Sequence, residues 1–128
     1  MKKIIDVEIE QECIALLPDI TYKHENYWFE CTKKPMKLTM LMPKSFKGHK
    51  PLPLIIWITG GSFMVTDRNI WVPQLVDFAQ SGFVVASVQY RTSNEAHFPA
   101  ALQDIKSAIR YLRAHSNEYC IDPEHVFI

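Results

Sequence analysis

The chain has 128 residues, enough for one domain with a real core or for part of a larger one. Hydrophobic residues make up 48% and charged residues 22%, a globular composition that excludes a disordered chain. Fourteen basic and fourteen acidic residues cancel, so no electrostatic footprint for nucleic acid or an anionic lipid surface exists.

Met1-Lys2-Lys3-Ile4-Ile5 has the look of a signal-peptide start, but Asp6, Glu8 and Glu10 end any apolar region at once. The longest nearly uncharged run, residues 52–58, is far too short to span a bilayer. A cytoplasmic location is therefore expected. Cys13, Cys31 and Cys120 lie far apart and read as small half-buried thiols in a reducing compartment. There is no Cys-x-x-Cys and no His-Glu-x-x-His, so neither a metal nor a cofactor is expected.

Residues 4–31 show mixed alternation, with Ile5, Val7 and Ile9, then Ile20 and Tyr22, then Tyr27 and Phe29. They predict one or two strands of an antiparallel entrance. Residues 37–42 alternate until Pro43 and read as a further strand. A charged loop at 44–50 contains Gly48, and Pro51 and Pro53 then introduce the most informative segment of the chain. There, Leu54-Ile55-Ile56-Trp57-Ile58 runs directly into Thr59-Gly60-Gly61-Ser62-Phe63. A continuous apolar run of this length predicts a central strand covered on both faces, as in a parallel sheet. Paired glycines at its end allow a sharp turn and a close approach of bare N–H groups to a ligand.

After a polar connector at 66–69, a helix is predicted over 71–80, with Leu75, Val76 and Ala79 on one face and Gly82 just past its end. Residues 83–88 predict a second buried strand, followed by Tyr90-Arg91 and a polar loop at 92–97. Pro99 suits the first position of a long helix. Leu102, Ile105, Ile109 and Leu112 form its core-facing stripe, with Lys106, Arg110 and Arg113 on the solvated side. Asn117 and the 120–123 segment end it, and His125-Val126-Phe127-Ile128 begins a last strand. The order strand, strand, strand, helix, strand, helix, strand is an α/β pattern with βαβ crossovers. Neither Gly-x-Gly-x-x-Gly nor Gly-Lys-Ser/Thr is present, which argues against dinucleotide and P-loop folds.

Four segments taken together resemble the amino-terminal part of an α/β-hydrolase of the carboxylesterase and hormone-sensitive-lipase-like kind. They are Pro53-Leu54-Ile55-Ile56-Trp57-Ile58-Thr59-Gly60-Gly61-Ser62-Phe63, Gly82-Phe83-Val84-Val85-Ala86-Ser87-Val88-Gln89-Tyr90-Arg91, Phe98-Pro99-Ala100-Ala101-Leu102-Gln103-Asp104 and Tyr119-Cys120-Ile121-Asp122-Pro123-Glu124-His125-Val126. The resemblance runs from about Ile20 to Ile128. It implies antiparallel entrance strands, then parallel strands with crossover helices, as a single partial domain over residues 1–128. It implies a serine carboxylic-ester hydrolase whose oxyanion hole is built by the loop after the apolar strand. Carried over, the donors are the backbone N–H groups of Gly61 and Ser62, with Gly60 making the turn. Phe63, Met64 and Trp71 are candidates for the substrate wall, or else simply cover the sheet.

The family usually has His where Thr59 stands and a third glycine where Ser62 stands. Support for the loop is thus expected from another residue, and Ser62 is expected to need no glycine-like backbone angle. The family nucleophile lies in Gly-x-Ser-x-Gly after the strand that begins at His125 or Val126, with acid and base later. None of the three is in these residues, and the chain alone is expected to be inactive.

Ser62 is the nearest local candidate for a nucleophile, but a backbone role or plain turn is the stronger reading. His97 reads as an exposed loop residue, and His24, His49, His115 and His125, which show no partner spacing, as surface residues. Asp104 is expected to order Tyr90-Arg91 by hydrogen bonding. The resemblance also implies that the strand ending at Ile58 lies between those at Val84 and His125, leaving an open apolar edge. An alternative function follows: an inactive association or binding module that pairs through that edge with itself or a complementing chain.

Overall fold

The computed structural model describes residues 4–5, 11–27, 30–45, 48 and 50–128. Five strands and two helices follow in the order β1 (Ile14–Tyr27), β2 (Thr32–Pro43), β3 (Leu52–Ile58), α1 (Val72–Gln80), β4 (Val84–Val88), α2 (Ala100–Ala114) and β5 (Ile121–Phe127). The strands form one sheet in the order β1-β2-β4-β3-β5. β1, β2 and β4 are joined by antiparallel pairing, and β3 runs parallel to both β4 and β5. The expected strand order at the apolar strand is therefore the one observed.

Handedness explains why the helices lie where they do. The β3-α1-β4 and β4-α2-β5 crossovers step across the sheet in opposite directions. If both are right-handed, their helices must cover opposite faces. The packing agrees. Leu54 and Ile56 of β3 join Val84, Ala86 and Val88 of β4 against Ile105, Ala108 and Leu112 of α2. Ile55 and Trp57, one residue out of phase, pack with Val85 against Leu75 and Ala79 of α1. Every residue of β4 is buried. Such a strand needs an apolar run, as the sequence has.

Several boundaries differ from the expectation. Val7, Ile9 and Phe29 of the proposed entrance, and His49, lie outside the described residues. The remaining entrance is a single long strand, β1, with register shifts after Leu17 and Thr21. Pro99 precedes α2 as its N-cap and is not the first helical residue. α2 ends at Ala114, and β5 starts at Ile121 and not at His125. The early start tolerates Pro123 because β5 is an edge strand whose register shifts there: Asp122 opposes Pro53, and Val126 opposes Leu54. Gly82 sits past α1 with φ +93°, an angle that L side chains rarely adopt.

Two placements on α2 also differ. Leu102 is 47% exposed, while Asp104 is completely buried among the core-facing residues. Apolar periodicity cannot assign a carboxylate to the interior, because only its partners make that possible. His115 is half-buried and stacks on Tyr111 with ring centroids 4.1 Å apart, so it is no ordinary surface residue.

The partners of Asp104 span three parts of the chain. Its Oδ2 accepts from the Arg91 backbone N–H at 2.8 Å, and its Oδ1 accepts from Arg91 Nη2 at 2.8 Å. Lys23 of β1 also donates to it. Burial alone would raise the Asp104 carboxyl, but the hydrogen bonds from Arg91 and Lys23 hold it below its ordinary value of 3.8. A lowered carboxylate stabilises the fold above its unfolded pKa, and that contribution disappears as pH falls below 3.8 through the folded value. We expect urea melts to show a stability loss below about pH 4. Asp104→Asn should flatten that acid limb and cost about 3–5 kcal/mol at neutral pH, as for breaking a buried ion pair.

Candidate functional site

Adjacent parallel strands whose following helices lie on opposite faces leave a crevice beyond their carboxyl ends. β3 is followed by α1 on one face, and its neighbour β4 by α2 on the other. The loops that border this crevice are residues 59–71 and 89–99. Gly60, Gly61, Ser62 and Phe63 lie in the first of them, so the topology brings the sequence candidates to the place where open α/β sheets bind ligands.

The turn itself is tight. The Gly61 carbonyl accepts from the Met64 N–H at 2.9 Å and the Val65 N–H at 3.2 Å. A Cβ on Gly61 would lie 1.9 Å from the Val65 carbonyl oxygen, whereas one on Gly60 would meet nothing within 4 Å. The requirement for glycine at Gly61 is thus close approach, with no positive φ involved. Positive angles occur at the next two residues: Ser62 has φ +53° and Phe63 φ +60°. The expectation for Ser62 is corrected here, since its angle is one that favours glycine. Two consecutive left-handed L-residues cost roughly 1–2 kcal/mol each, strain of the kind that gathers at ligand-binding turns. Among the described residues, none accepts a hydrogen bond from the N–H of Gly61 or of Ser62.

The second loop anchors the first. The Tyr90 hydroxyl donates to the Thr59 carbonyl at 2.7 Å, and the Ser93 N–H donates to the Phe63 carbonyl at 2.8 Å. The anchoring segment is itself fixed. Asp104 binds Arg91 as described, and Glu95 Oε2 accepts from the Thr92 N–H at 3.0 Å. The expected ordering of Tyr90-Arg91 by Asp104 is therefore present. Hydrogen bonds from Lys34 and Thr92 hold the Glu95 carboxyl below its ordinary value, against the opposing effect of burial.

Beside the turn lie two adjoining clefts of about 230 and 290 Å³, which share Phe63, Phe98 and Ala101. Arg91 and Ser93 line the smaller one, and Ile58, Tyr90 and Leu102 the larger. Of the three wall candidates, only Phe63 lines these clefts. Trp71 instead packs on Trp57 at 6.3 Å between ring centroids, on the α1 face, and Met64 lies in the turn with 51% of its surface exposed. His97 is exposed and lines neither cleft. The Ser62 hydroxyl has no hydrogen-bonded base among the described residues. Sequence reasoning does not single out Phe98, 89% exposed over both clefts, or the Tyr90 hydroxyl. Their signal was available: both lie in the loop that follows β4, next to the glycine turn.

No group of three or more His, Cys, Asp or Glu side chains among the described residues is arranged to hold a metal ion. The donor set here is backbone amide, which suits a developing negative charge on oxygen.

A five-stranded mixed sheet with a helix on each face and a glycine turn after β3 is the fold of an α/β-hydrolase esterase, present here in part. The solved structure of a bacterial heroin esterase superposes with a TM-score of 0.69 at 27% identity, over 94% of this chain and 35% of that one. The profile of the family described as BD-FAE matches residues 38–128, and the chain belongs to that family. It is 36% identical over 102 residues to probable carboxylesterase 5 of Arabidopsis thaliana, covering 77% of this chain and 30% of that protein. It is 31% identical over 86 residues to esterase LipC of Mycobacterium tuberculosis, covering 66% and 21%. The chain thus spans less than a third of the length of these two curated relatives.

The contrast between the two glycines is testable on the folded chain. Gly61→Ala should destabilise by about 1–3 kcal/mol, because the new methyl meets a backbone carbonyl that cannot move without breaking the turn. Gly60→Ala should be neutral or stabilising by up to about 1 kcal/mol. Paired thermal melts of the two variants check this.

Proposed function

We propose that these 128 residues form one partial α/β-hydrolase domain that supplies the oxyanion-hole side of a carboxylic-ester hydrolase. In this reading the N–H groups of Gly61 and Ser62 are the donors, Gly60 makes the turn, and Phe63 borders the substrate. Nucleophile, acid and base come from outside these residues, which contain no Gly-x-Ser-x-Gly. The substrate is a small-molecule ester, and the setting is cytoplasmic. No helix among the described residues is long and apolar enough to cross a membrane.

The chemistry follows from charge. When a serine oxygen attacks an ester carbonyl, the carbonyl oxygen becomes an alkoxide. Collapse expels the alcohol and leaves an acyl-serine, and water then repeats the cycle to release the acid. Amides already oriented toward that oxygen stabilise it without reorganising, and each is worth roughly 3–4 kcal/mol of the barrier. The single observation that supports the reading most is the pair of adjacent N–H groups with no acceptor among the described residues, in a strained turn at the switch point of the sheet.

Purified residues 1–128 incubated with a short-chain p-nitrophenyl ester should show background hydrolysis only. Robust turnover blocked by a serine-directed phosphonate would sink this division of labour.

One observation favours a second reading, an association module without turnover. β5 is the outer strand, and its ladder with β3 ends at the pair Ile55 and Phe127. Next to it lies a groove of about 400 Å³ lined by Ile55, Trp57, Phe78, Phe83 and Phe127. Apolar edges of this kind recruit further strands. Sedimentation at several concentrations separates the cases, since a well-behaved monomer counts against association.

A further inference from the structure

We infer that Tyr90 is a positioning residue for the oxyanion turn: its hydroxyl holds the Thr59 carbonyl and thereby the orientation of the amides that follow. This inference rests on the oxyanion reading of residues 60–62.

Tyr90 is 5% exposed, and its 2.7 Å hydrogen bond to the Thr59 carbonyl is buried and joins residues 31 apart in sequence. Thr59 is itself 3% exposed, and its Oγ1 has no partner among the described residues. The Thr59 hydroxyl therefore adds no hydrogen bond among the described residues, and the carbonyl is the polar anchor point. A peptide unit is planar, so fixing the Thr59 oxygen also fixes the plane that carries the Gly60 N–H. At the far end, the Ser93 N–H holds the Phe63 carbonyl at 2.8 Å. Both ends of the turn are thus pinned by one short segment, residues 90–93, and that segment is tied to α2 through Asp104.

Pinning is needed because Ser62 and Phe63 sit at φ +53° and +60°. Strained angles persist only where surrounding contacts over-determine them. Without the Tyr90 bond, the turn can relax at its first residue, and the amides move away from the position of the developing charge. The ring alone would serve core packing equally well, so the hydroxyl carries the function.

Tyr22 supplies the control. It is 7% exposed, and its hydroxyl donates to the Gln89 carbonyl at 2.7 Å, one residue before Tyr90 and away from the turn. Tyr90→Phe and Tyr22→Phe should be compared in the active esterase that contains this chain, by kcat and KM for p-nitrophenyl butyrate and by thermal midpoint. Both variants should lose some thermal stability. Tyr90→Phe should lower kcat and kcat/KM together by about tenfold with KM nearly unchanged, less than the roughly 10²–10³ for deleting a donor outright. Tyr22→Phe should leave kcat within about twofold of the parent. A Tyr90→Phe enzyme with parental kcat, or equal loss in both variants, would overturn the positioning role while leaving the oxyanion reading intact. A parent protein without ester turnover would overturn both.

Discussion

A carboxylate with no exposed surface has to be paired, and Asp104 sets the terms for much of this structure. Its partners come from the strand-following segment at Arg91 and from Lys23 of β1. Helix α2, the entrance strand and the loop after β4 are therefore tied at one point. The same charge pushes the neighbouring Tyr22 hydroxyl upward, although burial is the larger cause. That hydroxyl stays protonated and can serve as a donor to the Gln89 carbonyl. The placement of Arg91 on the carboxyl side of the sheet follows from its buried pairing with Asp104 as much as from apolar packing.

From that anchor the order extends outward to the site. Arg91 is held, so Tyr90 and Ser93 are held, and they take the Thr59 and Phe63 carbonyls in turn. A turn with two left-handed residues survives because both ends are fixed. In the proposed role of this turn, rigidity is useful for a chemical reason. Donors that need not move when charge develops stabilise it more than donors that must reorient. The open cleft under Phe63 and Phe98 leaves room beside them, with an apolar lining that suits an acyl or alcohol group.

Much of the fold was legible because β3 and β4 are almost wholly apolar, β4 being interrupted only by Ser87, and the crossover helices carry recognisable stops, Gly82 above all. The register bulge that lets β5 begin before Pro123 has no local signature, since it depends on what lies opposite at Pro53 and Leu54. Burial of Asp104 in place of Leu102 was equally invisible to hydrophobic periodicity, although pairing of Asp104 with the Tyr90-Arg91 segment could be read from sequence. At the candidate site, the glycine pair pointed to the turn after β3 but not to the reasons for its geometry. Gly61 is needed because Val65 comes back over it, and Ser62 adopts the left-handed angle that a third glycine would have taken more easily. Trp71 was drawn to the site by its proximity in sequence, whereas the chain has by then crossed to the α1 face, where Trp57 waits.

The most direct measurement is a crystal structure of the proposed ester hydrolase, with these residues joined to the segment that supplies the nucleophile, after reaction with a serine-directed phosphonate, whose phosphoryl oxygen stands in for the alkoxide. We expect that oxygen about 2.7–3.1 Å from the backbone nitrogens of both Gly61 and Ser62, with the turn unmoved. An adduct whose oxygen is held by other donors, with those two nitrogens beyond about 4 Å, would contradict the role assigned to this turn.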